Sequence, residues 1–167
     1  MVSFALRAAH WKMAMATRIR PSPERLYDED FYVWTQEQAE LLRRRQFEAL
    51  DLDHLIEEVE ALGRAEKNSV LNNAGVIIEH LLKLQHNPAK EPRNAWRASV
   101  REHRRRLRRD LTPRLRQILD SELPTLYREI RDDTAALLRD HGEQAAADAL
   151  PETCPYTLDQ ITGDWWP

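Results

Sequence analysis

The longest regular pattern in the chain runs from Leu52 to Leu84, where apolar residues recur with a helical period and no proline intervenes. Written as heptads from Leu52, the first seam position reads Leu52, Val59, Glu66, Asn73, His80. The second reads Leu55, Leu62, Ser69, Val76, Lys83, and a flanking position reads Ile56, Gly63, Val70, Ile77, Leu84. Three apolar positions in every two turns mark a helix packed into a bundle. The two seam positions turn polar halfway along, so Glu66, Ser69, Asn73 and His80 are expected to face other helices. That placement costs free energy unless each group finds a partner. Gly63 and Gly75 each weaken the helix by about 1 kcal/mol against alanine, and close approach of a neighbouring helix is the simplest reason for both.

The same reading predicts three further main helices. Asp28, with Glu29 and Asp30 behind it, suits an N-cap for a helix with the seam Phe31, Trp34, Gln38, Leu41, closed by Arg43, Arg44 and Arg45 at its negative end. Asp51 is expected to cap the long helix, with Leu50 and Leu55 as a hydrophobic staple, and Asn87-Pro88 to end it. Asn94 is the expected cap of a third helix with the seam Trp96, Val100, His103, Leu107, Leu111. Thr112-Pro113 starts a short helix or a kink. Ser121 to His141 makes the last main helix, with Leu126, Ile130 and Leu137 inward and Gly142 as its stop. Beyond Pro151 the chain reads as a strap, with a turn capped by Thr157 and with Trp165 and Trp166 folding back on the bundle. The expected fold is all-α, an antiparallel four-helix bundle with one long central helix and a C-terminal strap. Residues 1–23 are expected to be a disordered basic extension, 24–150 the bundle and 151–167 the strap.

Composition narrows this picture. Four glycines in 167 residues are too few for a fold of hairpins. The net charge of −3 excludes a chain that binds nucleic acid by overall charge. Cys154 is the one cysteine, so no disulfide forms within the chain, which fits a reducing cytoplasm. No apolar run approaches the ~20 residues that span a bilayer. Met1 to Pro23 carries Arg7, Lys12, Arg18 and Arg20 and no acid; Arg7 and His10 break its apolar positions, so it lacks a secretory core. A basic amphipathic membrane anchor is the alternative to a plain extension.

Two constellations could carry chemistry. Gln38, Glu66, Asn73, His80 and His103 are all inward by periodicity and could form a polar layer across three helices. Such a layer is either a hydrogen-bond network that fixes register or a metal or small-ligand site. The Glu-x-x-His pairs of carboxylate-bridged bundles are absent, and His54 with Glu57 or Glu58 has the reverse order on an outer face. The second constellation is Arg93 to Arg116, with ten arginines, no lysine, and only Glu102 and Asp110 as acids. Arg97, Arg101, Arg104, Arg105, Arg108 and Arg109 are expected to cover its outer surface, facing an acidic protein or nucleic acid. Glu24 to Glu66, with thirteen acids and five arginines, is an internal alternative. No phosphate loop, nucleophile elbow or CxxC occurs, and Cys154 before Pro155 has no helix start behind it.

The stretches Tyr27-Asp-Glu-Asp-Phe-Tyr-Val-Trp34, Leu55-Ile-Glu-Glu-Val-Glu-Ala-Leu-Gly63-Arg64, His80-Leu-Leu-Lys83, Trp96 and Cys154-Pro-Tyr156 resemble, in order, a bacterial family known only as domain of unknown function family 29. The resemblance covers roughly Tyr27 to Pro167. It implies a small helical bundle without an assigned activity, with Asp30, Trp34, Gln38, Glu58, Glu66, His80 and Trp96 matching the family's motifs, and it favours a start nearer Met15. His103 stands where glutamine is expected in such sequences, which disfavours a metal site that needs His103. Taken together, the chain is expected to be a cytoplasmic, non-catalytic binding module with an arginine-rich face and no cofactor. The alternatives are a metal- or small-ligand-binding bundle centred on His80, which could be enzymatic, and a nucleic-acid-associated accessory protein.

Overall fold

The computed structural model describes residues 23–167, which form seven helices and no strand. They are α1 (Pro23–Glu29), α2 (Phe31–Arg43), α3 (Leu52–His86), α4 (Arg93–Asp110), α5 (Pro113–Asp140), α6 (Gln144–Asp148) and α7 (Leu158–Thr162). The fold is all-α. It divides into two compact units, one ending at Ala61 and the other running from Leu62 to Pro167. The basic extension expected over residues 1–23 lies, apart from Pro23, outside the described residues.

The first unit holds α1, α2, a 3₁₀ turn at Phe47–Ala49 and the start of α3. Asp30, not Asp28, caps α2: its carboxylate accepts from the Val33 amide at 3.1 Å. Asp28 sits inside α1, because Pro23 starts a helix earlier than the apolar pattern indicates. Of the expected α2 seam, Trp34 and Gln38 are buried while Phe31 is exposed. The α2 helix stops where Arg45 takes a left-handed φ of 58°.

In the second unit α4 runs antiparallel to α3. His103 meets Asn73, and ten residues earlier Arg93 reaches the Leu84 carbonyl, eleven residues further along α3. The α5 helix runs parallel to α3, with Lys67 pairing Glu122 and Gly75 lying against Leu126 and Ile130. The core gathers Val70, Ile77, Leu81, Val100, Leu107, Leu119, Tyr127 and Leu138, and Tyr156, Leu158 and Ile161 from the strap join it. Thr112 caps α5 with its hydroxyl on the Leu115 amide and Pro113 in the first turn. The helix then continues through Pro124 to Asp140, instead of restarting at Ser121. Leu123, Tyr127 and Leu138 carry its buried face, and the expected Leu137 is exposed. Gly142 ends this region at φ 78°, which suits glycine. Pro92 takes the cap position of α4, and Asn94 is the second residue of the helix.

The seam of α3 is buried over only half its length. Leu52, Ile56, Val59 and Leu62 are 59, 50, 66 and 67% exposed, and Glu66 is exposed too. Burial begins at Val70 and runs to Leu84. A Cβ at Gly63 would meet nothing within 4 Å, whereas one at Gly75 would come within 3.2 Å of Ile130 Cδ1. Close approach therefore accounts for Gly75 alone.

Candidate functional site

The first unit contains a connected polar and aromatic cluster. Asp51 stands at the N-cap of α3, where its carbonyl accepts the Leu55 amide, but its carboxylate turns inward. Trp34 Nε1 donates to Asp51 Oδ2 at 3.0 Å, and His54 Nδ1 lies 2.8–2.9 Å from both carboxylate oxygens. A carboxylate only accepts, so His54 holds its proton on Nδ1 and leaves Nε2 as the basic nitrogen. Gln38 Oε1 accepts the Asp51 backbone amide at 2.9 Å, while Gln38 Nε2 is buried and unpaired among the described residues. The Tyr27 ring stacks on His54 with centroids 4.0 Å apart, and its hydroxyl donates to Glu58 Oε1 at 2.6 Å. The Asp51 carboxylate raises the His54 pKa above its ordinary value. Donation to Glu58 pushes the Tyr27 phenol up to about 12. An imidazole oriented by a buried carboxylate is a ready proton acceptor or metal ligand. Among the described residues, however, no three His, Cys, Asp or Glu groups converge on one point.

Sequence periodicity assigned Gln38 to the polar layer and missed Asp51 and His54. The local signal was present in Asp51-x-x-His54, three residues apart and so neighbours on a helix. Its importance depends on Trp34, 17 residues earlier, which periodicity does not connect to it.

The second unit keeps part of the expected layer. His103 Nδ1 meets Asn73 Oδ1 at 2.8 Å, and Asn73 Nδ2 donates to the Ser69 carbonyl at 2.7 Å. These bonds place the proton of His103 on Nδ1. His80 is half-buried, and its Nδ1 is buried without a partner among the described residues, contrary to the expected bond from a facing helix. Burial lowers the pKa of both His80 and His103, so both rings are neutral at pH 7. Glu66 takes no place in a buried layer, because burial on α3 begins one turn later. Lys83, also on the seam, is buried and paired to Glu79 at 2.5 Å. A cavity of about 400 Å³ beside it is lined by Trp96, Asn87, Leu138 and His141.

The arginine face needs one correction. Arg104 is buried, not outward. Its Nε donates to the Ile161 carbonyl at 3.0 Å, and its Nη2 donates to Gln160 and Trp165 at 2.6 and 2.7 Å. The Trp166 ring lies 5.1 Å from its guanidinium carbon. Arg104 falls four residues after Val100 and three before Leu107, at the edge of the buried face, and the strap closes over that edge. Arg97, Arg101, Arg105, Arg108 and Arg109 are exposed. Arg105 and Arg106 pair with Glu102, Arg108 with Asp164 at 3.1 Å, and Arg109 with Asp110 at 2.8 Å.

A family model described as Domain of unknown function DUF29 matches residues 26–166. The chain belongs to that family. Comparisons with curated proteins and with solved structures gave no match. Several positions that the sequence resemblance singled out have distinct tasks in this DUF29 chain. Asp30 caps α2, Trp34 and Gln38 hold Asp51, Glu58 holds Tyr27, and Trp96 lines the cavity beside Lys83. Cys154 donates to the Tyr156 carbonyl at 3.4 Å, and burial pushes its thiol up, so it stays protonated at pH 7. No helix among the described residues is long and apolar enough to cross a membrane.

Proposed function

We propose that this DUF29 chain is a non-catalytic interaction module that takes an acidic partner on the outer face of α4. The observation that carries the reading is the succession of Arg97, Arg101, Arg105 and Arg108 at spacings of four, four and three, all exposed. Such spacing places the four on one side of the helix, over about 16 Å of its length at 1.5 Å per residue. Their counter-charges, Glu102 and Asp164, form exposed pairs that solvent screens strongly, so a partner's carboxylates or phosphates compete with them readily. Guanidinium forks match either group in two-pronged geometry. The test is binding of the full chain to heparin and to duplex DNA as salt is varied. The reading expects affinity that falls steeply with salt and is lost when Arg101, Arg105 and Arg108 are changed together to Glu. No binding to either polyanion at low ionic strength would overturn the nucleic-acid form and restrict the face to acidic proteins.

One observation favours ligand binding at His80 as a second reading: its Nδ1 is buried and unpartnered among the described residues, on the same helix as the Asn73 that holds His103. Zn²⁺ or Ni²⁺ raising the melting temperature of wild type but not of His80→Leu would support it. Equal shifts in both proteins would remove it.

A further inference from the structure

We propose that the cavity framed by the ends of α3 and α5 and the start of α4 binds a small aromatic carboxylate, with the Lys83 ammonium as its counter-charge. The space, about 400 Å³, is lined entirely by residues of the second unit. That volume falls in the ~300–1,000 Å³ range of small-ligand sites. Its wall takes Lys83 from the last turn of α3 and Asn87 just beyond it. Trp96 comes from the first turn of α4, Leu137 and Leu138 come from the last turn of α5, and Glu143 completes it.

Lys83 is only 8% exposed. A buried ammonium is costly unless its protons reach acceptors. It carries three protons, and one goes to Glu79 at 2.5 Å. Among the described residues the other two meet no acceptor. The cavity that Lys83 lines is the space from which a further acceptor can come. Asn87 Oδ1 accepts the Ala89 amide at 2.8 Å, which leaves the Asn87 Nδ2 donors without a partner among the described residues. Both polar groups at the α3 end of the wall therefore have donors to spare. Beside them Trp96 is half-buried and Leu137 is 39% exposed, an apolar surface that a flat ring would cover.

Helix ends and side chains together set the sign of the ligand's charge. The carbonyl ends of α3 and α5 already meet donors of the chain itself. Arg93 Nη2 donates to the Leu84 carbonyl at 2.6 Å, and the Gly142 and Glu143 amides donate to the Arg139 and Leu138 carbonyls at 2.9 Å. The amide end of α4 is not met in this way: Pro92 stands at its cap and no side chain accepts from its first turn. Donors therefore exceed acceptors around the cavity. Glu143 is the one carboxylate among the described residues of the wall, and Glu79 already shares Lys83. One buried ammonium facing two carboxylates suits a single negative charge, not a doubly charged phosphate. This site is independent of the arginine face on α4 and of His80.

NMR titration of the full chain with benzoate tests the proposal, read at the Trp96 indole N–H, one of five in the chain, assigned with Trp96→Phe. We expect that signal to shift with a Kd below ~1 mM, and neutral benzamide to bind at least ~10-fold more weakly. Asn87→Asp keeps an acceptor for the Ala89 amide and puts a negative charge where Nδ2 stood, so it should weaken benzoate binding by at least ~10-fold. Glu143→Gln removes the opposing charge and should tighten it. Leu137→Trp, at a side chain that is 39% exposed, should fill the cavity and block binding while the fold is kept. Lys83→Met should abolish binding. No shift at about 10 mM benzoate overturns the proposal. So does benzamide binding as tightly as benzoate, or wild-type affinity in both Asn87→Asp and Leu137→Trp. If Lys83→Met does not fold, those two variants, with folding checked by their melting curves, decide the outcome.

Discussion

Trp34 and Asp51 are both buried, and the indole N–H donates to the carboxylate at 3.0 Å. The bond joins α2 to the first turn of α3, and the same carboxylate orients His54. Trp34→Phe keeps most of the ring and removes the donor. A hydrogen bond to a charged group is worth ~1.5–3 kcal/mol, so chemical denaturation should show a loss of that size. Asp51→Asn should also bring the His54 pKa down toward its ordinary value, read from the ring proton shift by NMR. A His54 pKa that does not move would show that Asp51 is not its cause.

Two groups of histidines should give opposite pH dependences. His54 has a raised pKa, so its folded form binds the proton more tightly. The stability it contributes is fully present below about pH 6.5 and is lost as pH rises through the folded value. His80, His86 and His103 have pKa values lowered by burial. Their neutral forms are favoured by folding, so their contribution is present above about pH 6.5 and is lost as pH falls toward the folded values. Denaturation midpoints measured from pH 5 to 9 should lose part of their acid-side fall in His103→Gln and part of their alkaline-side fall in His54→Gln.

Asn73 and His103 form a pair that His80 does not join as a hydrogen-bond partner through Nδ1. His103→Leu leaves Asn73 Oδ1 without its donor and should cost ~1–3 kcal/mol. His103→Gln offers an amide in place of the ring N–H and should recover most of that loss. His80→Leu gives up no bond at Nδ1 and should be neutral or stabilising in thermal melts. A large loss there would mean that His80 has a partner the fold does not show.

Arg104 closes the strap. Arg104→Met removes the donor to three carbonyls and the contact with Trp166, and should cost upwards of ~3 kcal/mol. The neighbouring exposed Arg105→Met should stay within about 0.5 kcal/mol. Deleting residues 163–167 should lower the melting temperature in wild type and change it little once Arg104 is Met.

Helix placement was largely legible, because periodicity and local chemistry act over a few residues. The Thr112-Pro113 start, the Thr157 turn, the Gly142 stop and the length of α3 all follow from groups within one turn of each other. Cap errors at Asp28 and Asn94 arose where a proline allowed a helix to begin earlier. The helical period of α3 was legible as well, but the apolar stripe that the heptads set inward is buried only from Val70 onward. What covers that stripe was not legible, because period fixes direction and carries no information about which segment arrives there. The α4 and α5 helices reach it only from Val70 onward. The Asp51–His54 spacing was visible in the sequence, yet only the approach of Trp34 and Gln38 turned an ordinary cap residue into a buried carboxylate that orients an imidazole. Arg104 differs from its exposed neighbours for the same reason. By composition it was one more charge on a basic helix, and the strap carbonyls, 56 to 61 residues away, are what bury it.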